Sequence, residues 1–260
     1  MKRVRIVSDL HVGSQWGLWP PGMRDDGRPY PQNVGQRWLW HHWVRSWAEW
    51  PRPHTLIING DLIDGPQPKR WGRGTMTSDL DLQQRALLAV LEPALHPRPE
   101  RLYIVEGTEY HEPDRLGVVA QLVGAKRHHQ ALVPVDLRLE YYGRRLLVGH
   151  HPDAGQTLYK GSSLERQVLW ALARAAAKYD ERWDVLVVSH LHMWAAEYVL
   201  RSIVVLTPGW SLQDHRSRKR RRHTWIPDIG WVDIMFEKGR EPFVQHHLVP
   251  TPIIRAERVA

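Results

Sequence analysis

The chain predicts an α/β fold in which two packed mixed β-sheets are flanked by helices, and three observations carry that expectation. Short apolar runs at 4–7, 55–59, 101–105, 146–148 and 185–188 read as buried strands of the kind found inside parallel sheets. Helical patterns separate them, at 35–50, 78–95, 113–122 and 161–178. Alternating patterns at 135–141, 198–206, 231–236 and 244–249 suggest a second sheet with antiparallel members. In the first helix Trp40, Trp43, Trp47 and Trp50 recur at the i, i+3, i+7 spacing of one face, which reads as core rather than as a base-stacking platform. Trp16, Trp19 and Trp71 lie in Gly/Pro-rich loops, where an aromatic either packs its own loop or stacks on a base.

At 260 residues the chain is long enough for one large domain, 1–260, carrying a basic loop at 214–223. No apolar stretch reaches the ~18 residues of a membrane span, and the amino-terminal apolar run is too short for a signal peptide. A soluble, cytoplasmic protein is expected, a phage protein in its host's cytoplasm included. The absence of cysteine excludes thiolate zinc and iron–sulfur centres and leaves nitrogen and oxygen ligation. Net charge is +8, of which Arg216, Arg218, Lys219, Arg220, Arg221 and Arg222 supply six. That run is either a solvated loop or a grip on the phosphates of DNA or RNA.

Five clusters carry the chemistry: Asp9-Leu10-His11, Gly60-Asp61-Leu62-Ile63-Asp64, Gly107-Thr108-Glu109-Tyr110-His111, Gly149-His150-His151-Pro152 and Ser189-His190-Leu191-His192. Each follows one of the buried runs and therefore falls on a loop at a strand C-terminal end, where open α/β sheets place their sites. Buried carboxylates and imidazoles are costly unless a cation holds them. Two divalent ions roughly 3.5–4 Å apart need a carboxylate bridge with imidazoles and oxygens around it, and this set supplies both. Taken singly, Asp9, Asp61 and Asp64 read equally well as helix N-caps; the accompanying histidines make that reading a small minority. His41-His42, His128-His129 and His246-His247 lie outside such motifs and read as surface or partly buried residues.

The order of these clusters resembles the calcineurin-like metallophosphoesterase superfamily, whose pattern is Asp-x-His, Gly-Asp-x-x-Asp, Gly-Asn-His-(Asp/Glu), a lone His after a strand, and Gly-His-x-His. The resemblance spans residues 4–192; the segment Pro227-Asp228-Ile229-Gly230 with its basic run also looks like segments of phage-encoded members. It implies a four-layer sandwich binding two divalent transition-metal ions, manganese first, with iron, zinc or nickel as alternatives. Asp9, His11 and His192 would hold the first ion, Asp61 would bridge, and His150 and His190 would complete the second. Asp64 would orient a ligand histidine. His111 would contact the phosphate and assist the leaving oxygen.

The chain departs from that pattern at the third motif, where the asparagine is absent and two residues are inserted before the histidine. Glu109 is the expected replacement ligand, with Thr108 as the alternative. Ser189, standing where the family has glycine, reads as neutral. The implied activity is phosphate-ester hydrolysis by a metal-bound hydroxide, with a phosphodiester, as in a nuclease, ahead of a phosphomonoester or nucleotide. The competing function is a nucleic-acid-binding accessory protein with a decayed site.

Overall fold

In chain order the elements are β1 (Lys2–Ser8), β2 (Arg24–Asp25), β3 (Arg28–Pro29), α1 (Val34–Glu49), β4 (Thr55–Asn59), α2 (Leu80–Leu95), β5 (Arg101–Val105), α3 (Leu116–Leu122), β6 (Asp136–Tyr141), β7 (Arg144–Gly149), α4 (Lys160–Ala176), β8 (Val185–Val188), β9 (Ala195–Val199), β10 (Ser202–Leu206), β11 (Ile229–Phe236) and β12 (Phe243–Val249). This computed structural model describes residues 1–67, 73–112, 116–151, 160–178, 180–212 and 226–251. Residues 113–115 of the expected third helix, Trp71, Pro152 and the basic run lie outside the described residues. No helix among the described residues is long and apolar enough to cross a membrane.

Two five-stranded mixed sheets result, ordered β12-β11-β1-β4-β5 and β6-β7-β8-β10-β9. In the first, β1, β4 and β5 run parallel and β11 pairs antiparallel to β1. In the second, β7, β8 and β10 run parallel, with antiparallel β6 and β9 at the edges. The expected partition of strands is corrected here. Segments 231–236 and 244–249 extend the first sheet beside β1, while 146–148 and 185–188 join the second. Alternation records that a strand has two unlike faces, and either sheet satisfies it. The segment 198–206 is not one strand but the β9–β10 hairpin, turned at Leu200 and Arg201, both at positive φ (48° and 70°).

Side-chain alternation sorts the apolar residues into three layers of core. Val4, Ile6, Ile57, Tyr103, Val148, Val187, Val205 and Ile234 fill the space between the sheets. Leu56, Ile58 and Ile104 face the opposite way, into the cluster with α1, α2 and α3. Leu186, Val204 and Leu206 pack with Trp183 and with Ala171 and Leu172 of α4. Helix α1 starts at a capping box between Asn33 and Gln36 and buries Gln36, Leu39, Trp43, Ser46 and Trp47. The tryptophan stripe is therefore core only in its middle: Trp50 is the helix C-cap and is 41 % exposed. Trp19 is fully buried, its indole donating to the Tyr30 carbonyl, so it packs its own loop.

One buried ion pair ties the first sheet together. Arg5 and Asp233 are direct cross-strand partners, and the guanidinium donates through Nε and Nη2 to the two carboxylate oxygens at 2.8 and 2.9 Å. The guanidinium also lies over the rings of Trp47 and Trp231. His247, expected on the surface or partly buried, is buried against Asp233 at 3.3 Å. Burial alone would raise the Asp233 carboxyl, but Arg5 and His247 hold it below the ordinary carboxylate value. A depressed folded pKa contributes stability that is complete above the unfolded value and lost as pH falls through the folded one. Arg5→Met is expected to cost about 3 kcal/mol in urea unfolding at neutral pH, the low end for a broken buried pair, because Asp233 loses its bidentate partner and keeps only Arg3 at 3.6 Å and His247 at 3.3 Å. The deficit should shrink in acid as Asp233 protonates; one that grows in acid would contradict this account.

Candidate metal centre

All five motif loops leave the C-terminal ends of parallel strands, β1, β4 and β5 from one sheet and β7 and β8 from the other, so the two sheets bring them to one edge. Backbone hydrogen bonds stitch the loops together: Asp9 N to Gly60 O, His11 N to Asp61 O, Gly60 N to Val105 O, Ser189 N to His150 O and Trp210 N to Asp9 O. At Gly60 a side chain is excluded twice, by φ of 68° and by the ring of His150, which a Cβ would meet at 2.3 Å. Asp9, His11, Asp61, His190 and His192 all stand at positive φ, between 44° and 70°. Left-handed backbone is uncommon outside glycine, and its concentration here marks a site whose geometry the surrounding packing enforces.

Three groups of possible ligands result among the described residues: Asp9 with His11 and His192, Asp9 with Asp61, His150 and His190, and His11 with Asp64 and His111; the first two share Asp9. Asp9 is common to the first two, whereas Asp61, the expected bridge, belongs to the second alone. Asp9 Oδ1 lies 3.4 Å from His192 Nε2 and 3.8 Å from His150 Nε2. Asp61 Oδ2 lies 3.3 Å from His150 Nε2 and 3.5 Å from His190 Nδ1. His150 Nδ1 donates to the Asn59 carbonyl at 2.8 Å, which leaves Nε2 to face the carboxylates. His11 Nε2 and His192 Nε2 face each other at 3.3 Å. His151 is exposed, its ring 4.7 Å from that of His190.

The electrostatics suit a cation. Asp9 and Asp61 are both held well below the usual carboxylate range, against burial, by His192 and His150 in the first case and by His150 and His190 in the second. Burial pulls His150 down, yet Asp9 and Asp61 together push it up to about 9. Asp9 Oδ1, His150 Nε2 and His190 Nδ1 are buried without a hydrogen-bond partner. Such atoms fit divalent-cation ligation, in which the metal displaces the protons that the imidazoles would otherwise carry.

The third motif differs from expectation. Glu109 is exposed and stands in none of these groups. Thr108 takes the place beside Asp61, its backbone N and Oγ1 both donating to Asp61 Oδ1 at 2.8 Å. Glu109 and Tyr110 form a turn closed by His111 N and Glu112 N on the Thr108 carbonyl, so the inserted pair is looped out and His111 returns to the centre. The His111 ring meets that of His11 edge-on at 4.6 Å, and its Nδ1 lies 2.9 Å from the Asp64 carbonyl. Burial, with His11 beside it, pulls His111 down to about 4. Asp64 Oδ1 sits 3.7 Å from His11 Nδ1 and 3.8 Å from His111 Nδ1, beside both imidazoles but beyond hydrogen-bond distance of either.

Several supports went unread in the sequence. Glu112 is buried and accepts from Leu62 N and Gly107 N, joining the second and third loops; burial and nearby Asp61 push its carboxyl up to about 8. Glu112 follows His111 as Asp or Glu follows the histidine in the family pattern, a signal that was available. Ser189 is not neutral: Asn59 Nδ2 donates to its Oγ at 2.6 Å, and the Oγ pairs with Thr207 Oγ1 at 2.7 Å. Ser8 joins the same Thr207 hydroxyl at 2.8 Å, so one buried polar chain links both sheets under the centre. The expected substrate grip of Arg216, Arg218, Arg220, Arg221 and Arg222 lies outside the described residues.

Fold and site together define a two-sheet α/β sandwich with an aspartate–histidine centre at its strand C-terminal ends. No protein-family profile matches the chain, and no curated protein matches it. Solved structures with a similar course include a novel archaeal phosphodiesterase, at 11 % identity and TM-score 0.46 over 95 % of this chain and 99 % of that one. Wild-type Vps29 of Entamoeba histolytica complexed with zinc is similar at 8 % identity and TM-score 0.44, covering 95 % and 98 %. Vps29 of Cryptosporidium parvum reaches TM-score 0.48 at 11 % identity, covering 96 % and 98 %. Likeness at this level carries no weight for activity, which has to stand on the site's own residues.

Proposed function

We propose that the protein is a dinuclear metal-dependent phosphoesterase acting on a phosphodiester. The observation that supports this most is the pair of ligand groups sharing Asp9, with orphaned buried atoms of Asp9, His150 and His190 facing one another. Asp9, His11 and His192 would hold one cation and Asp9, Asp61, His150 and His190 the other. When bound, such cations polarise phosphoryl oxygens and lower the pKa of water. The protein's own groups supply the rest. Thr108 pins Asp61 Oδ1 and so directs Oδ2 toward His150 and His190. His111 donates its Nδ1 hydrogen to the Asp64 carbonyl, which leaves Nε2 as the nitrogen that takes or returns a proton. Held down by burial, His111 is neutral at pH 7; an adjacent phosphate anion favours its protonated form.

Manganese loading followed by elemental analysis is expected to give about two ions per chain, with hydrolysis of an aryl phosphodiester faster than of the monoester. A folded protein that retains no metal would favour the accessory-protein alternative. For the substrate we propose nucleic acid, on the charge of the run at 216–222. Binding of DNA should weaken with salt, by a slope of about one per phosphate contact. Affinity indifferent to salt would remove nucleic acid as the substrate and leave the metal chemistry untouched.

A further inference from the structure

The loop that follows β4 holds a buried amide for which the proposed chemistry has no use so far. Gln67 is fully buried, and its backbone stands at φ 48°, a conformation that only the surrounding structure can enforce on a glutamine. Its Nε2 lies 2.5 Å from the Asp64 carbonyl oxygen, 3.1 Å from Asp64 Oδ1 and 3.1 Å from His111 Nδ1. The same Asp64 carbonyl lies 2.9 Å from His111 Nδ1. A carbonyl only accepts, so it takes one hydrogen from the imidazole and one from the amide; the two nitrogens are fellow donors and not partners. The second amide hydrogen goes to Asp64 Oδ1.

That second bond matters because the Asp64 carboxylate has little else. His11 Nδ1 and His111 Nδ1, at 3.7 and 3.8 Å, lie beyond hydrogen-bond reach of Oδ1, and Oδ2 is buried without a partner. Gln67 thus grips both the main chain and the side chain of Asp64, the residue set between the two imidazoles. Helix α2 braces the loop from behind. Gln83 accepts from Gly65 N and donates to Gly65 O, both at 3.0 Å, and also donates to Thr77 O at 2.8 Å.

We infer that Gln67 is a positioning residue that holds Asp64 between His11 and His111, keeping His111 in the tautomer with the hydrogen on Nδ1 and Nε2 available to the reaction. Its consequence for rate rests on the phosphoesterase function proposed above; its geometry does not. Two variants separate positioning from folding. Gln67→Met keeps the buried volume and removes both donors. Gln67→Asn keeps the amide and suits a left-handed backbone better, but withdraws it from Asp64 by one methylene.

The test reads His111 imidazole nitrogen shifts by NMR in metal-free protein at about pH 8, above the ordinary imidazole pKa. A His111→Asn control assigns the signals. Wild type should show one tautomer and both variants a mixture. With manganese loaded, kcat on an aryl phosphodiester should fall roughly 10–100-fold in both, with KM and metal content little changed. An unaltered tautomer in Gln67→Met overturns the inference, as does a fall in kcat fully explained by lost metal. If wild type hydrolyses no phosphoester, the proposed function fails, and the tautomer comparison still decides whether Gln67 orients His111.

Discussion

Asp9→Asn is expected to strip both cations from the protein, taking metal content from about two per chain towards none and turnover with it. Among the described residues Asp9 alone stands in ligand groups with both histidine pairs, with Oδ1 toward His192 and His150 and Oδ2 accepting from His190 N at 3.2 Å. An amide keeps the shape but replaces a charged oxygen by a donor, which turns a cation away. Asp61→Asn should empty chiefly the position beside His150 and His190, because Asp61 stands in that group alone. The family resemblance implies the reverse, with Asp61 as the bridge. Elemental analysis of the two variants decides it: loss of both ions in Asp61→Asn with one retained in Asp9→Asn would restore Asp61 to the shared position.

The difference between these assignments shows what the sequence could and could not carry. Parallel strands and the loops that end them were legible because both signals are local: an apolar run such as 55–59, then Gly60 and Asp61. Seven histidines and aspartates of the motifs, Asp9, His11, Asp61, His111, His150, His190 and His192, come together at one edge as their strand-end positions required. What lies across the chain was not legible. Ser8 and Thr207 are 199 positions apart and Asn59 and Ser189 are 130 apart, and nothing in either segment names its partner. The same holds for Arg5 and Asp233, for the burial of His247, and for the sheet to which an alternating strand belongs. Gln67 lacked any motif, and its role depends on a left-handed backbone that composition does not announce.

The irregular third motif separates a ligand from an exposed carboxylate and from a proton carrier, and three substitutions tell them apart. His111→Ala should keep the cations of the two groups that share Asp9 and lower turnover by roughly 10²–10⁴-fold, since His111 stands outside those groups, in the third one with His11 and Asp64. Thr108→Val preserves shape but removes the hydroxyl that donates to Asp61 Oδ1, and the backbone N of the same residue keeps one of the two bonds. Partial loss of the cation beside His150 and His190 is therefore expected, of the 10–100-fold order seen when a ligand's support is removed. Glu109→Ala should change neither quantity, because the side chain is exposed on the inserted turn. Metal lost in Glu109→Ala but kept in Thr108→Val would mean that the turn folds inward when cations bind and that the carboxylate, not the hydroxyl, replaces the missing asparagine.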